Sequence, residues 1–344
     1  MIKKKVAIIG LGHQSQSDHI PGILKSKDAE LVAVCDIDKG ILNKISNKLS
    51  VKGYKDYNDL FSKEKLDFVI IAVPHYEYTS IVRKAIESKV HILKEKPFAL
   101  TMHGALELHN LCFDNNIHMM ITMQRRFNPI FYSFFQLVDQ IGSIYSIDIK
   151  YNLYVKNPHI GWRADNSKSG GGCIIDMGYH MVDMIIWYFG LPDDIYTEMS
   201  AHAISDEKYD AEDTASILFS YGNNIKNKIS GVLEISRHKP PKTELIKVYG
   251  SKGILSIQRG SIKRFDINGD LIESLIREFS WPTASTNQID YFCKVIDGKK
   301  ENNSSTFYHL QHAAFIEACY KSYKEKKNVS PKEYLNKIKN EVHK

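Results

Sequence analysis

The feature that most constrains the fold is a series of short, almost wholly apolar segments that alternate with helix-like segments over residues 1–123. Strands that bury both faces and are separated by helices belong to a parallel sheet covered on both sides. Right-handed crossovers then predict a doubly wound α/β domain. The predicted strands are 6–9, 30–36, 68–73, 90–93 and 117–122, and the clearest predicted helices are 78–88 and 102–115.

The pattern changes after residue 123. Residues 145–151 alternate apolar and polar side chains, as a half-exposed antiparallel strand does. We therefore predict a second, α+β domain over residues 124–344, built on one large, open and mostly antiparallel sheet, so that the chain as a whole is α/β. Its further predicted strands are 213–222, 228–236, 244–249, 254–258 and 262–267, and its predicted helices are 173–189, 286–297 and 306–325.

Composition limits the class of protein and its compartment. The 344 residues, 43% apolar and 25% charged, are typical of a globular protein, and no apolar run has the length needed to span a bilayer. Five scattered cysteines without a Cys-x-x-Cys pair argue against a disulfide framework or zinc knuckle and favour a reducing cytoplasm. The basic residues behind the net charge of +6 are spread out or crowd residues 321–344, where glutamates are mixed with them, so we expect no nucleic acid as a partner. Without a spanning segment we also expect no membrane.

A glycine turn, Gly10-Leu11-Gly12-His13-Gln14-Ser15, follows the first predicted strand. Glycines permit a tight turn and let the backbone approach a pyrophosphate at a helix N-terminus. Ser15 stands at the third glycine position of the usual fingerprint, a small departure that is expected to loosen the packing of the helix against the strand. Asp36 ends the second strand at the distance expected for a ribose-binding acid, although a helix cap or turn acid is the alternative. Both features predict a dinucleotide, and Asp36 should repel a 2′-phosphate, so NAD is expected to be preferred over NADP.

Two further motifs carry candidate catalytic residues. Glu95-Lys96-Pro97 directly follows the fourth strand, at the sheet edge where ligands bind, and Lys96 could polarise a substrate oxygen there. A glycine run at 170–172 leads to Asp176 and His180, which are four apart and share one helix face. A histidine exchanges protons near neutral pH, and a carboxylate can orient it or bind a hydroxyl. The alternative for Lys96 is a surface lysine, and the alternative for Asp176 and His180 is a capped amphipathic helix with a core histidine. No metal site is expected, because further ligands at a recognisable spacing are missing.

In this order the three motifs resemble the glucose–fructose oxidoreductase/inositol dehydrogenase/rhizopine catabolism family. The resemblance covers nearly the whole chain. It also includes Ala72-Val73-Pro74, Arg126-Phe127-Asn128-Pro129, Trp162-Arg163 and the segment 317–322.

The resemblance implies reversible hydride transfer between a nicotinamide and a hydroxyl-bearing carbon of a sugar, inositol or sugar nucleotide. It implies that Lys96, Asp176 and His180 form the catalytic group. His180 would take the hydroxyl proton, Lys96 would stabilise the charge that develops on the oxygen, and Asp176 would position substrate and histidine. If the domains close over the nicotinamide, Lys96 and His180 should reach one small volume.

The resemblance also assigns binding residues. His75 and Tyr78 stand where the family often has asparagine and histidine, which affects the detailed nicotinamide contacts. The implied cofactor-binding residues are Gly10, Gly12, His13, Gln14, Asp36, Val73, Pro74, His75 and Glu95. The candidate substrate neighbours are Gln124, Arg125, Arg126, Tyr154, Trp162 and Arg163, among which an aromatic is as readily a core residue.

Two other functions stay open at this point. One is a dinucleotide-binding sensor without turnover, and the other is a glycoside hydrolase that uses NAD transiently. Arg125, Arg126 and Arg163 slightly favour an anionic substrate. A wide open sheet and the family resemblance both lead us to expect a homodimer or homotetramer.

Overall fold

The computed structural model describes residues 2–157, 160–204, 208–222, 224–278 and 280–342. It divides the chain into two compact units. The first contains Met1–Ala99, His103–Phe127 and Ser280–His309. The second contains Leu100–Met102, Asn128–Phe279 and Leu310–Lys344. This division differs from the single boundary predicted at 123, because residues 280–309 return to the first unit.

The first unit is built on a six-stranded sheet of order β3-β2-β1-β4-β5-β6 in which all pairs are parallel. Val6, Ile8, Phe68 and Ile70 are wholly buried, as expected for strands covered on both faces. The predicted doubly wound sheet is confirmed, and the short edge strand β3 is an addition to it. The strands are β1 Lys4–Ile9, β2 Ala29–Cys35, β3 Lys52–Tyr54, β4 Phe68–Ile71, β5 His91–Lys94 and β6 Met119–Ile121.

Five helices connect these strands. The helix after the glycine turn begins with a π-helical turn, Ser15–His19, and continues as α1. Asp38 and Asp56 cap α2 and α3 by accepting hydrogen bonds from backbone amides. The helices are α1 Ile20–Lys25, α2 Lys39–Leu49, α3 Tyr57–Lys63, α4 Tyr78–Glu87 and α5 Met102–Asp114, and a short 3₁₀ segment occupies Gln124–Phe127.

A distant helix, α10 (Trp281–Ile296), completes the core of the first unit. Ile289 and Phe292 are wholly buried among side chains of β1, β2 and β4. The Phe292 ring meets the Phe68 ring edge-on, with centroids 5.4 Å apart. This packing explains why a segment assigned from sequence to the second domain belongs to the first unit.

The second unit is built on an eight-stranded sheet of order β14-β13-β12-β11-β7-β10-β9-β8. Only the pairing of β7 with β10 is parallel among the neighbouring pairs of this described sheet. The predicted large, mostly antiparallel sheet is thereby confirmed, and β8 and β14 are additions to it. The strands are β7 Ile144–Tyr154, β8 Asp194–Ser200, β9 Thr214–Tyr221, β10 Ile229–Ser236, β11 His238–Gly250, β12 Gly253–Gln258, β13 Ser261–Phe265 and β14 Leu271–Ile276.

The principal helix of the second unit is α9 (Tyr179–Phe189), which begins six residues later than predicted, since residues 173–178 form turns. Its start lies against the sheet, because a Cβ added to Gly178 would come within 2.6 Å of the Ile235 side chain on β10. No helix in the described part of the chain combines the length and apolar character that crossing a bilayer requires. The other helices are α6 Pro129–Tyr132, α7 Phe134–Leu137, α8 Asn166–Ser169, α11 Thr306–Glu325, which crosses from the first unit, and α12 Pro331–Val342, with 3₁₀ turns at Val138–Ile141 and Gly161–Ala164.

Candidate active site

The glycine turn after β1 has the geometry of a pyrophosphate cradle. Gly10 has a φ of +89°, and a Cβ there would lie 2.3 Å from the Ala72 carbonyl oxygen, so another residue is excluded. A Cβ on Gly12 would meet nothing within 4 Å, which leaves open space over the turn. The hydroxyl of Ser15 donates to the carbonyl of Gly10, so the serine at the third fingerprint position secures the turn. The turn therefore fits a dinucleotide, with its amides at the start of a helix.

Asp36 directly follows β2 and already has hydrogen-bond partners within the first unit. One carboxylate oxygen accepts from the amide of Leu11 at 2.7 Å, and the other accepts from the amide of Asp38 at 2.8 Å. The turn-acid interpretation is thus part of its role. A carboxylate that holds the glycine turn also lies beside it, where a ribose would bind.

The remaining predicted cofactor residues surround the carboxyl ends of the parallel strands. His13 is exposed on the helix after the turn, and Gln14 donates to Asp18. Val73 and Pro74 follow β4 and are half-buried, whereas His75 is 6% exposed. Ligands of doubly wound sheets bind at this edge.

Glu95 and Lys96 follow β5. One oxygen of the Glu95 carboxylate lies 2.7 Å from His19 Nε2, and the other accepts from the Lys96 amide at 3.2 Å. Burial would raise the pKa of Glu95, but the hydrogen bond and charge of His19, the nearby Lys96 and Thr122 lower it below its usual value. Glu95 therefore holds the Lys96 backbone, while the Lys96 side chain is half-buried.

In the second unit, Asp176 and His180 stand out by their exposure. Every residue from 171 to 186 is buried except these two. Farther along α9, Asp183 is wholly buried and lies 2.8 Å from His312 of α11, which anchors the helix. The predicted shared helix face is not formed, because Asp176 lies in the turns that precede α9 and only His180 lies on the helix. The two residues are nonetheless the partly exposed members of this segment.

A buried carboxylate that sequence reasoning missed, Glu212, shapes the glycine run. It accepts hydrogen bonds from the amides of Gly172 and Ile174 at 2.6 and 2.9 Å and from the Tyr320 hydroxyl at 3.0 Å. Burial raises the pKa of Glu212, an effect that these hydrogen bonds oppose. A Cβ on Gly172 would lie 1.9 Å from the Glu212 carbonyl oxygen, so the close approach requires glycine.

Two arginines hold the Asp176 carboxylate. Arg237, which is 3% exposed, donates from Nη2 to Oδ2 at 3.1 Å. Arg163 donates from Nε to the same oxygen at 3.3 Å, and its guanidinium lies 4.3 Å from the Trp162 ring centre. Sequence reasoning missed Arg237, although its position at the end of a buried strand was a usable signal. The paired arginines keep the Asp176 carboxylate oriented.

The other predicted substrate residues have different surroundings. Tyr154, at the end of β7, is 64% exposed in the second unit. Gln124, Arg125 and Arg126 are buried in the first unit; Arg125 lies over the Trp281 ring, and Arg126 donates to the Asn303 carbonyl. The structure gives these two arginines roles in packing, so a role for Arg126 in substrate binding stays a prediction.

Each unit thus assembles its own part of the predicted site. The first unit brings the glycine turn together with Asp36, and it positions Lys96 beside Glu95. The second unit brings Asp176 together with Arg163 and Arg237 and leaves His180 open on the adjoining helix. A parallel sheet with a glycine cradle and an acid after β2, joined to an open antiparallel sheet, defines a two-domain dinucleotide-binding protein.

Comparison with protein families confirms this class and names it. Residues 4–122 match the oxidoreductase family with an NAD-binding Rossmann fold, and residues 136–256 match the GFO/IDH/MocA C-terminal domain. The chain therefore belongs to the GFO/IDH/MocA family of NAD-binding oxidoreductases, as the sequence motifs predicted, and it is an enzyme of that class.

Similar proteins include named sugar dehydrogenases. The chain is 26% identical to glucose-6-phosphate 3-dehydrogenase of Bacillus subtilis over 66% of this chain and 65% of that protein. It is 26% identical to D-apiose dehydrogenase of Paraburkholderia graminis over 74% of this chain and 67% of that protein. Among solved structures, the WlbA dehydrogenase from Bordetella pertussis, in complex with NADH and UDP-GlcNAcA, superposes with a TM-score of 0.80 at 19% identity, covering 96% of this chain and 99% of that one. At that identity the last comparison establishes the fold alone.

Proposed function

We propose that this protein is a nicotinamide-dependent dehydrogenase that interconverts a hydroxyl and a keto group on a sugar-like substrate. The observation that carries the proposal is the exposure of Asp176 and His180 alone within the otherwise buried segment 171–186. A buried segment that opens only at a carboxylate and an imidazole presents an acid–base pair, which hydride transfer from an alcohol requires.

The proposed cofactor is NAD, held along the edge of the parallel sheet. Gly10 and Gly12 would admit the pyrophosphate, His13 and Gln14 would lie at the helix start, and Asp36 would bind the ribose hydroxyls. Farther along the edge, Val73, Pro74, His75 and Glu95 would flank the nicotinamide. When bound, the nicotinamide ring supplies the acceptor for the hydride.

NAD should be preferred because Asp36 repels a 2′-phosphate and the next residue, Ile37, is an uncharged side chain that is 83% exposed. Titration calorimetry with NAD and NADP on the same protein tests the preference. Equal or tighter binding of NADP would count against it.

The proposed mechanism assigns one task to each catalytic side chain. His180 accepts the proton of the substrate hydroxyl as the carbon is oxidised, and it returns the proton in the reverse direction. The ammonium of Lys96 stabilises the negative charge that develops on the same oxygen. Asp176, held by Arg237 and Arg163, orients the imidazole or a neighbouring hydroxyl.

The substrate is proposed to be a sugar, an inositol or a sugar nucleotide. The similarity to enzymes named for glucose 6-phosphate and D-apiose supports this range, since one name contains a phosphate and the other a neutral sugar. A panel of free sugars, inositols, sugar phosphates and nucleotide sugars, followed by the absorbance of reduced nicotinamide, tests the proposal. The matched control is His180→Ala, which should bind NAD but reduce it about a hundredfold or more slowly.

The panel also distinguishes the alternative functions. NAD binding without turnover of any panel member would support a sensor. Cleavage of a glycoside without net reduction of NAD would support a hydrolase. Either result would contradict the proposed dehydrogenase.

We further propose that the protein works in the cytoplasm as a homodimer or homotetramer. All five cysteines are free and buried, which suits a reducing compartment. The large sheet turns one face outward, where Leu218 on β9 is 56% exposed. Sedimentation velocity across micromolar concentrations should show a species larger than the monomer, and a monomer throughout would contradict self-association through this face.

A further inference from the structure

Lys94, the last residue of β5, is a lysine at a position where the fold places apolar side chains. It is 2% exposed, and the preceding strand residues Ile92 and Leu93 are also buried. Both hydrogen bonds that the structure gives its amine go to backbone carbonyls, of Glu95 at 2.9 Å and of Pro97 at 2.5 Å. The amine also lies 3.7 Å from the centre of the Tyr78 ring.

A buried ammonium is costly at this position. Burial, assisted by the neighbouring Lys96 and opposed by Glu95, lowers the pKa of Lys94 to about 7. A methionine of similar length would fill the same space without that desolvation cost. What the amine provides beyond packing is its pair of hydrogen bonds to the following turn.

Those two hydrogen bonds enclose Lys96. The carbonyl of Glu95 belongs to the peptide group before Lys96, and the carbonyl of Pro97 belongs to the peptide group after Pro97. The carboxylate of Glu95 meanwhile accepts from the Lys96 amide. The backbone that carries Lys96 is therefore held from both sides, and its side chain leaves from a fixed point.

We infer that Lys94 is a positioning residue for Lys96: its buried amine clamps the peptide group before Lys96 and the one after Pro97, and so fixes where the Lys96 side chain begins. The catalytic consequence of this inference rests on the proposed function, whereas the clamp itself does not. Side chains that orient a reacting group commonly act through hydrogen bonds to its support.

Hydrogen exchange tests the clamp without a substrate. In Lys94→Met, amides in a peptide covering residues 95–99 should exchange faster by about tenfold or more, because the turn loses both hydrogen bonds to the amine. The matched control is Lys63→Met, a lysine of α3 with a 57% exposed side chain, which should leave that peptide unchanged. Unchanged exchange in Lys94→Met would overturn the inference.

Misfolding is separated from local loosening by a second variant and by the rest of the map. Lys94→Gln keeps an N–H donor, so its exchange should fall between the wild type and Lys94→Met. Peptides from the second unit should be unchanged in both variants. If, in both variants, the 95–99 peptide exchanged faster only together with peptides throughout the protein, the change would be general unfolding, and the clamp would be overturned.

A double-mutant cycle tests the action through Lys96. With the panel substrate that turns over fastest, Lys94→Met should lower kcat by about tenfold while KM and the Kd for NAD change less than about twofold. In a Lys96→Met background the same substitution should cost nothing further, since there is no catalytic amine left to position. Fully additive losses would overturn the positioning role. If no panel member turns over, the proposed function fails, and hydrogen exchange alone decides the clamp.

Discussion

The loops that carry the two halves of the proposed catalytic group are both held by a buried charge, but by charges of opposite sign. In the first unit, the amine of Lys94 donates to the carbonyls of Glu95 and Pro97. In the second unit, the carboxylate of Glu212 accepts from the amides of Gly172 and Ile174. In each loop, therefore, the buried side chain is of the kind that pairs with the available backbone groups: a donor for carbonyls in the first unit and an acceptor for amides in the second.

The difference follows from where each loop lies. The turn after β5 leaves the end of a parallel strand, so carbonyl groups need a donor. The glycine run leads towards a helix, where unpaired amides need an acceptor. The lysine ammonium carries three donors and the glutamate carboxylate two acceptor oxygens, so each can bond several backbone groups at once, which makes them suitable for these two loops.

The largest effect should come from Lys96, in the turn after β5, and from His180, on the helix that follows the glycine run. Lys96→Ala and His180→Ala should each lower kcat about a hundredfold or more, because one removes charge stabilisation and the other removes the general base. NAD binding should be little changed, since neither residue is assigned to the dinucleotide.

Steady-state kinetics with the true substrate, together with calorimetry for NAD, measure both effects. Lys63→Ala and His202→Ala replace exposed residues of the two units and serve as controls. Near-normal turnover in either active-site variant would contradict the comparison, because the substituted residue would then have no catalytic role for its supporting loop to serve.

A smaller effect is expected from the support in the second unit. In Glu212→Gln, an amide nitrogen replaces one oxygen, and one of the two backbone amides then faces a donor. The free energy of unfolding should fall by about 1–3 kcal/mol, and kcat should fall by about tenfold as Asp176 loses its fixed position.

Urea unfolding and kinetics measure this change. Glu198→Gln, which alters a glutamate with a 52% exposed side chain on β8, is the matched control and should change neither quantity appreciably. Wild-type stability in Glu212→Gln would show that the buried carboxylate is not required to hold the glycine run.

The smallest expected effect is on the pH dependence of the free energy of unfolding, to which Lys94 and Glu212 should contribute with opposite signs. Burial lowers the pKa of Lys94 from 10.5 to about 7; the charge of Glu95 opposes this shift and the charge of Lys96 adds to it. The Tyr78 ring that faces the amine is uncharged. Between these values the unfolded chain binds more protons, so this residue's contribution to the free energy of unfolding rises with pH. Burial raises the pKa of Glu212 above 4.5, so the folded chain holds more protons there and its contribution falls as pH rises from about 4.5.

Melting temperatures across pH reveal the two slopes. The advantage in stability of Lys94→Met over the wild type should shrink from pH 7 to pH 10, because the folded wild type has released the Lys94 proton in this range while the unfolded chain keeps it. The wild type should lose stability relative to Glu212→Gln as pH rises from about 4.5, because there the unfolded chain releases the Glu212 proton while the folded chain still holds it. Parallel curves for a variant and the wild type would mean that the corresponding buried group does not titrate as described.

The sequence predicted the two sheets because their strands carry strong local patterns. It did not predict β3, whose three residues, Lys52–Tyr54, include two exposed ones, or β8, in which Asp194 and Glu198 obscure the alternation. Lys96, Asp176 and His180 were predicted as catalytic residues because each lies in a recognisable local motif, and these roles stay predictions.

The supporting residues had no such local signal. Glu212 lies 40 residues from Gly172, and Arg237 lies 61 residues from Asp176, so only the folded chain brings these partners together. Lys94 is adjacent to a motif, but its partners are backbone carbonyls, which a sequence pattern does not display. The side chains that hold the predicted site thus became visible only from the structure.

The return of residues 280–309 to the first unit also affects how this protein is made. When the ribosome has completed β6, the surface that receives Phe292 and Ile289 is still bare, and residues 128–279 must be synthesised before its cover exists. At about 5–20 residues per second this delay is roughly 8–30 s, during which apolar side chains of a nearly finished domain face water or a chaperone. A fragment that stops at residue 127 would keep that surface exposed permanently. We therefore expect this fragment to aggregate when expressed alone and to stay soluble when residues 280–309 are co-expressed with it.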